Sequence, residues 1–374
     1  MADQRVIYTT QDYHELDKWF AKNNIKKAFM VCGRSVEKLN VNRYFLELKK
    51  RTGIEIVRFH DFSPNPDYAS VEKGVNKFRS EGFDAIIAVG GGSAMDVAKC
   101  IKLFCGMDSS ENYLKQEVIP NNIPFLAIPT TAGTGSEATR FAVIYLNGEK
   151  QSVDDESSIP DIVLLDSSVL QSLPLYQRKS TMLDALSHSV ESFWSVNSTE
   201  ESKEHSRKAL ALILENMDSY LANEDSGNKN MLLAANLAGK AINITQTTAG
   251  HAMCYKLTSL YGISHGHAAM LCNKELFPWM KKNTNKCTDL RGEEYLKSVL
   301  TELSGIFGET QKSNEVTKLS EIFENLSLEV PVAQAGDIEV LSESVNETRI
   351  KNHPVNISKD EIVMLYRKIL KTDE

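Results

Sequence analysis

One junction constrains this chain more than any other. The run from Asp84 to Val89 is almost wholly apolar, and it leads directly into Gly90-Gly91-Gly92-Ser93 and a helical pattern through Lys99. An apolar strand without alternation implies burial on both faces, the environment of a parallel sheet. Three glycines let the backbone turn sharply and approach a ligand with no Cβ in the way. The helix that follows presents unpaired N–H groups and the positive end of its dipole, which suits a pyrophosphate. A tight strand-to-helix turn is the plainer alternative, but the flanking strand and helix are the context a phosphate loop requires. The spacing is not G-x-G-x-x-G, so the common dinucleotide fingerprint is not met. Gly91, Gly92, Ser93 and Asp96 are the candidate contacts here.

The same strand–helix alternation extends over the first half. Ala28 to Val31, Glu55 to Phe59, Ile123 to Ile128 and Asp161 to Asp166 read as strands, with helices through Tyr44 to Arg51 and from about Tyr68 to Glu81. Such recurrence predicts βαβ units. Beyond Leu173-Pro174 helical periodicities dominate: Ser180 to Trp194, Lys203 to Leu221, Lys229 to Thr245, Tyr295 to Phe307 and Lys359 to Leu370. The expected architecture is an α/β domain over 1–172 with a parallel sheet, followed by an all-helical domain over 173–374. A length of 374 residues accommodates both.

Forty-two Lys and Arg against 50 Asp and Glu leave a net charge of −8, which argues against nucleic acid or an anionic membrane surface as partner. The N-terminus has no apolar signal segment, and no stretch approaches a membrane span. Six scattered cysteines without a C-x-x-C pair read as reduced thiols, so a cytoplasmic location is expected.

A second loop, Ile128-Pro129-Thr130-Thr131-Ala132-Gly133-Thr134-Gly135-Ser136, also follows a strand and is rich in hydroxyls and N–H donors. Thr130, Thr131, Thr134 and Ser136 are candidates for phosphate, ribose or carboxamide, because α/β sheets bind ligands beyond their strand ends. A polar surface loop is the alternative.

Asp184 and His188 stand four apart in a helical pattern and so share a face. A further helix is expected to end near His251, with His265 following the loop Leu260 to Ser264. One carboxylate and three imidazoles suit a divalent transition metal with positions left for substrate. His267 competes with His265, and each histidine alone has a structural alternative.

The ordered motifs GGGSAMDVAK, IPTTAGTGSEAT, DALSHSVES and HAMCYKLTSLYGISHGHA resemble the iron-containing (group III) alcohol dehydrogenases over nearly the whole chain, including Arg349 to Pro354. The resemblance implies the iron alcohol dehydrogenase (dehydroquinate synthase-like) fold, with a Rossmann-like N-terminal domain. It implies Asp184, His188, His251 and His265 as metal ligands. Gly92 and Ser93 fall at pyrophosphate positions and Thr130, Thr131 and Thr134 at the second cofactor loop. Asn65 falls near the adenosine side, and Val143 and Lys150 at later cofactor contacts. The implied chemistry is hydride transfer between a nicotinamide and a carbonyl or alcohol, with Fe²⁺ expected and Zn²⁺ or Mn²⁺ as alternatives. A homodimer is expected by the same resemblance. A lyase of the same superfamily is disfavoured because its metal set typically lacks the Asp-x-x-x-His pair.

Three departures from the family pattern carry information. Gly33 stands where NAD-preferring relatives hold an acidic residue, and Arg34 and Ser35 follow, which favours NADP(H) over NAD(H). Tyr255 replaces a histidine associated with proton relay, so Tyr255 either takes part in proton transfer or shapes the pocket. Lys256 and Arg140 are cations expected near the substrate. They favour a small anionic aldehyde, with phosphonoacetaldehyde first, sulfoacetaldehyde next and simple short-chain alcohols as the alternative.

Overall fold

The computed structural model describes residues 4–9, 12–309, 317–345 and 350–372. Arg349 of the family-like segment lies outside them. The chain divides into two compact units. The first holds the residues up to Leu173 together with Ala222–Asn236, and the second holds Pro174–Leu221 and the residues from Leu237 on.

In the first unit the elements run β1 Arg5–Tyr8, α1 His14–Lys22, β2 Lys27–Cys32, α2 Asn40–Thr52, β3 Glu55–Phe59 and α3 Tyr68–Glu81. They continue as β4 Ala85–Gly90, α4 Gly92–Phe104, β5 Phe125–Pro129, β6 Phe141–Leu146, β7 Glu149–Asp154 and β8 Ile162–Leu165. Six strands form a parallel sheet in the order β1-β8-β5-β4-β2-β3. Every residue of β4 is buried, as a central strand covered on both faces must be. Strand β2 pairs with β3 on one side and β4 on the other, so the chain reverses direction across the sheet there. The carboxyl end of such a switch point is where open α/β sheets bind ligands.

Strands β6 and β7 form a separate antiparallel hairpin. Its turn residues Asn147 and Gly148 both have positive φ (53° and 80°), the conformation a two-residue hairpin turn demands. The stretch from Lys150 to Ser158 is paired strand followed by a short 3₁₀ turn.

The second unit is helical: α5 Leu175–Trp194, α6 Glu200–Leu221, α7 Asp225–Thr245, α8 Ala249–Tyr261, α9 His265–Lys282, α10 Glu293–Ile306, α11 Lys318–Asn325, α12 Asp337–Glu343 and a last helix, Lys359–Ile369. Helix α5 is its axis, buried from Met182 to Trp194 and packed against α6 and α9. A helix buried all round must satisfy its own polar side chains. Ser189 Oγ donates to Ala185 O (2.8 Å) and Ser192 Oγ to Ser189 O (3.1 Å). The last helix opens with a reciprocal capping box between Ser358 and Glu361.

Two expectations need correction. Helical periodicity placed 222–236 with the helical half, yet the first part of α7 clusters with the first unit. There Asp225 Oδ1 accepts from Ser167 Oγ (2.6 Å) and Asn236 Nδ2 donates to Glu137 Oε1 (3.2 Å). Periodicity reports the element and not its neighbours. Second, His251 does not end a helix: it lies in the first turn of α8, and His265 opens α9. Among the described residues no helix is long and apolar enough to cross a membrane.

Candidate functional site

In the first unit the carboxyl ends of β2, β4 and β5 lie side by side, with Cys32 level with Val89 and Gly90 level with Pro129. Gly91 caps α4 in extended conformation, and Gly92 and Ser93 begin the helix. A Cβ built on Gly91 would sit 3.3 Å from the Thr131 side chain, and one on Gly92 3.2 Å from Thr134 Cγ2. The glycine turn and the threonine loop are therefore in contact, leaving room for backbone but little for side chains. Thr130 N–H donates to Gly90 O (2.9 Å) and ties the two together. Arg34 and Ser35 are exposed just past β2, at the start of a 3₁₀ turn capped by Gly33. Asn65 is exposed, with φ 57°, in the turn between β3 and α3.

The sequence reading grouped Asp96 and Ser136 with the cofactor contacts, but the structure commits their polar groups to an internal network. Ser136 Oγ donates to Asp96 Oδ1 (3.0 Å) and accepts from Lys99 Nζ (3.2 Å). Lys99 is wholly buried and also donates to Thr139 O (2.6 Å), Thr139 Oγ1 (3.1 Å) and Phe141 O (2.7 Å). Burial pushes the Asp96 carboxyl up to about 6, against the pull of the Lys99 charge, the Ser136 hydroxyl, the Val143 backbone N–H and the Lys150 charge. Val143 and Lys150, on the hairpin, thus act on the Asp96 carboxylate. Lys99 was not singled out in the sequence, although its spacing three residues after Asp96 on one helix was visible.

In the second unit Asp184, His188 and His251 offer donor atoms that all lie within 4.8 Å of one another, and all three are buried. Asp184 Oδ1 is 3.6 Å from His251 Nε2 and 3.9 Å from His188 Nε2. Among the described residues neither Asp184 Oδ1 nor His251 Nε2 has a hydrogen-bond partner. The His188 and His251 rings stack at 4.6 Å and 14°. A buried carboxylate oxygen and an imidazole nitrogen left facing each other are costly unless something joins them. Atoms about 3 to 4 Å apart are the spacing that ligands about 2.0–2.2 Å from one shared cation produce. The residues fit a divalent ion.

His265 stands beside this trio. Its ring centroid is 5.2 Å from that of His251, its Nδ1 is 3.6 Å from Cys254 Sγ, and Tyr255 stacks on it at 5.4 Å and 22°. Burial opposes ionisation of Asp184, but His188, His251 and His265 outweigh it and hold the carboxyl well below the usual range. His251 is also buried, which disfavours its cation, yet the Glu191 and Asp184 carboxylates raise it to about 9. His267, the competitor, turns elsewhere: its Nδ1 meets Tyr176 OH (3.3 Å) and its ring packs on Phe323.

Glu191 is the residue that sequence reading passed over. It is fully buried, three residues past His188 and seven past Asp184 on the same face of α5, and its Oε1 lies 2.5 Å from His251 Nδ1. The helical spacing was a usable signal, but a glutamate in a helix ordinarily faces solvent.

Of the two cations expected near substrate, Arg140 is already engaged. Its Nε donates to Asp154 Oδ1 (2.5 Å), and Glu156 Oε1 lies 3.9 Å from its Nη1. Lys256 is half-buried on α8, five residues after His251, and no carboxylate among the described residues lies within ion-pair distance of it.

An α/β unit with a glycine turn at the carboxyl ends of its parallel strands, in a chain whose helical unit holds a buried Asp/His cluster, has the parts of a nucleotide-linked, metal-dependent oxidoreductase. The chain belongs to the iron-containing alcohol dehydrogenase family. Residues 3–167 match the iron-containing alcohol dehydrogenase model, and 179–370 match the Fe-containing alcohol dehydrogenase C-terminal model. It is 27% identical to alcohol dehydrogenase 4 of Saccharomyces cerevisiae, over 95% of this chain and 94% of that one. It is 25% identical to the NADPH-dependent butanol dehydrogenase of Clostridium saccharobutylicum, over 91% of each. The iron-containing alcohol dehydrogenase of Thermotoga maritima superposes with a TM-score of 0.86 at 27% identity, covering 100% of this chain and 99% of that one. The protein is an oxidoreductase of the NAD(P)-linked alcohol dehydrogenase type.

Proposed function

We propose that the protein is an NADP(H)-linked reductase of a small anionic aldehyde, acting at a divalent metal held by Asp184, His188, His251 and His265. The observation that carries this reading is the pair of buried, unbonded ligand atoms, Asp184 Oδ1 and His251 Nε2, turned toward each other 3.6 Å apart. A cation there supplies Lewis acidity toward a carbonyl oxygen and stabilises charge developing on it. The chain's own side chains do the rest. Asp184 and the histidines hold the ion, and Tyr255, stacked on His265, shapes the wall beside it. Lys256, half-buried with no carboxylate among the described residues at ion-pair distance, is the side chain suited to an anionic head group.

Arg140, paired with Asp154, no longer supports substrate recognition, so the anionic preference rests on Lys256 alone. Phosphonoacetaldehyde is the first candidate and sulfoacetaldehyde the second. Arg34 and Ser35, exposed past Gly33 where NAD-preferring relatives hold an acidic residue, support NADP(H), although Glu37 lies in the same turn. The NADPH dependence named for the clostridial butanol dehydrogenase agrees with that choice.

The decisive measurement is oxidation of NADPH and of NADH by protein loaded in turn with Fe²⁺, Zn²⁺ and Mn²⁺, against phosphonoacetaldehyde, sulfoacetaldehyde and propanal. The reading requires a higher kcat/KM for an anionic aldehyde, a lower KM for NADPH, and loss of the anionic preference in Lys256→Ala. Equal turnover of propanal, unchanged by Lys256→Ala, removes the anionic substrate. A clearly lower KM for NADH removes the cofactor assignment.

A further inference from the structure

The Glu191 carboxylate is surrounded only by donors. Oε1 accepts from Asn273 Nδ2 (2.9 Å) and lies 2.5 Å from His251 Nδ1. Oε2 accepts from Thr248 N–H (2.6 Å), from Thr248 Oγ1 (2.8 Å) and from His251 N–H (3.4 Å). The direction of these bonds is fixed by chemistry. Two are backbone N–H groups, which only donate. Thr248 Oγ1 accepts from Trp194 Nε1 (2.9 Å), and an indole N–H only donates, so the threonine proton goes to Glu191. Glu191 therefore acts as an acceptor, and the hydrogen between it and His251 sits on Nδ1.

A metal takes the neutral ring in place of its second proton, and an imidazole protonated at Nδ1 then carries its lone pair on Nε2. That nitrogen is the one left without a hydrogen bond, 3.6 Å from Asp184 Oδ1. The backbone makes room for this arrangement. A Cβ on Gly250 would fall 2.0 Å from Asn273 Oδ1 and 2.6 Å from Glu191 Oε1.

We propose that Glu191 is a positioning residue that locks His251 in the Nδ1–H tautomer and so presents Nε2 to the metal. The inference rests on the reading of Asp184, His188 and His251 as ligands. Outer partners of this kind fix the orientation and basicity of a ligating imidazole. Asn273 and Thr248, with Trp194 behind it, hold the carboxylate in turn.

Glu191→Gln tests it, because an amide replaces one acceptor with a donor. If the amide nitrogen faces Thr248 and the α8 backbone it meets N–H groups. If it faces His251 it forces the imidazole proton to Nε2 and removes the ligating lone pair. Two quantities are read besides activity: the Zn²⁺ and Co²⁺ dissociation constants by chelator competition, and the ring-proton position of His251 by ¹⁵N NMR of the Zn²⁺-loaded wild type. The expected results are a His251 proton on Nδ1 and about 10- to 100-fold weaker metal binding in Glu191→Gln, with helical circular dichroism unchanged. A variant dissociation constant within about threefold of wild type, below the tenfold floor for a lost outer partner, overturns the inference. So does a His251 proton on Nε2. Failure of wild type to bind either ion overturns the ligand reading itself, a separate outcome. Should Glu191→Gln not fold, the wild-type tautomer decides alone.

Discussion

At the residue scale the Asp184 cluster depends on what is absent as much as on the side chains present. Gly266 follows His265 at the start of α9, where a Cβ would meet Ser180 O at 2.1 Å, Asp184 Cβ at 2.6 Å and Asp184 N at 2.7 Å. These neighbours are backbone atoms and the Asp184 Cβ, so they have little freedom to yield. Gly266→Ala must separate α9 from α5 at Asp184, and overpacking of this kind costs about 1–3 kcal/mol. We expect that loss in urea unfolding, together with weaker Zn²⁺ binding in chelator competition. Gly305, in α10, is the control: nothing lies within 4 Å of its Cβ position. Gly305→Ala is expected to be neutral or to stabilise by about 0.4–1 kcal/mol through the unfolded chain, with metal affinity unchanged. Equal effects at the two positions would discard the close-approach argument.

At the scale of elements, Lys99 joins α4 to the chain from Ser136 to Phe141, directly after the threonine loop. Its removal leaves the buried Thr139 carbonyl and the half-buried Phe141 carbonyl short of a donor and Asp96 without the Lys99 charge. Lys99→Met is therefore expected to lose about 3–5 kcal/mol in urea unfolding, as when one partner of a buried charge pair is deleted. The KM for NADPH should rise as the loop loses its anchor. Unchanged stability and KM would show that the loop holds itself. The strands that frame this region were legible: the run at 85–89 lies within β4 because a buried central strand is apolar without interruption, and the run at 55–59 matches β3, a half-buried edge strand with β-branched Ile56 and Val57 at its centre. The β6–β7 hairpin was not, since Glu149-Lys150-Gln151-Ser152 is polar and the pairing partner supplies the order. Helix α9 runs through Pro278, a residue that by sequence pattern ends helices. Asp184 and His188 were legible from a four-residue spacing. Glu191 was not, because its burial is a property of α8 and α9 packing over α5.

At the scale of the whole molecule, acid stability offers a test of how the interior handles charge. His353 is buried against Trp194 (6.4 Å, 85°), and neither ring nitrogen has a hydrogen-bond partner among the described residues. Burial pushes the imidazole down to about 4, with the Glu191 charge opposing. In the unfolded chain a histidine titrates near 6.5. Between these values the unfolded state binds the proton and the folded state does not, so stability rises with pH across the window and falls as pH drops through it. The gap corresponds to about 3 kcal/mol, fully present above pH about 6.5 and lost by about 4. Other groups in the helical unit titrate too, and His251 has the opposite sign because its folded value is raised. Comparison of wild type with His353→Leu cancels those shared contributions. Urea unfolding with chelator present should show wild type losing stability relative to His353→Leu between pH 7 and pH 4.5. Parallel curves for the two proteins over that range would mean that His353 takes up its proton without unfolding cost, and that the pocket against Trp194 admits water or a partner for the ring.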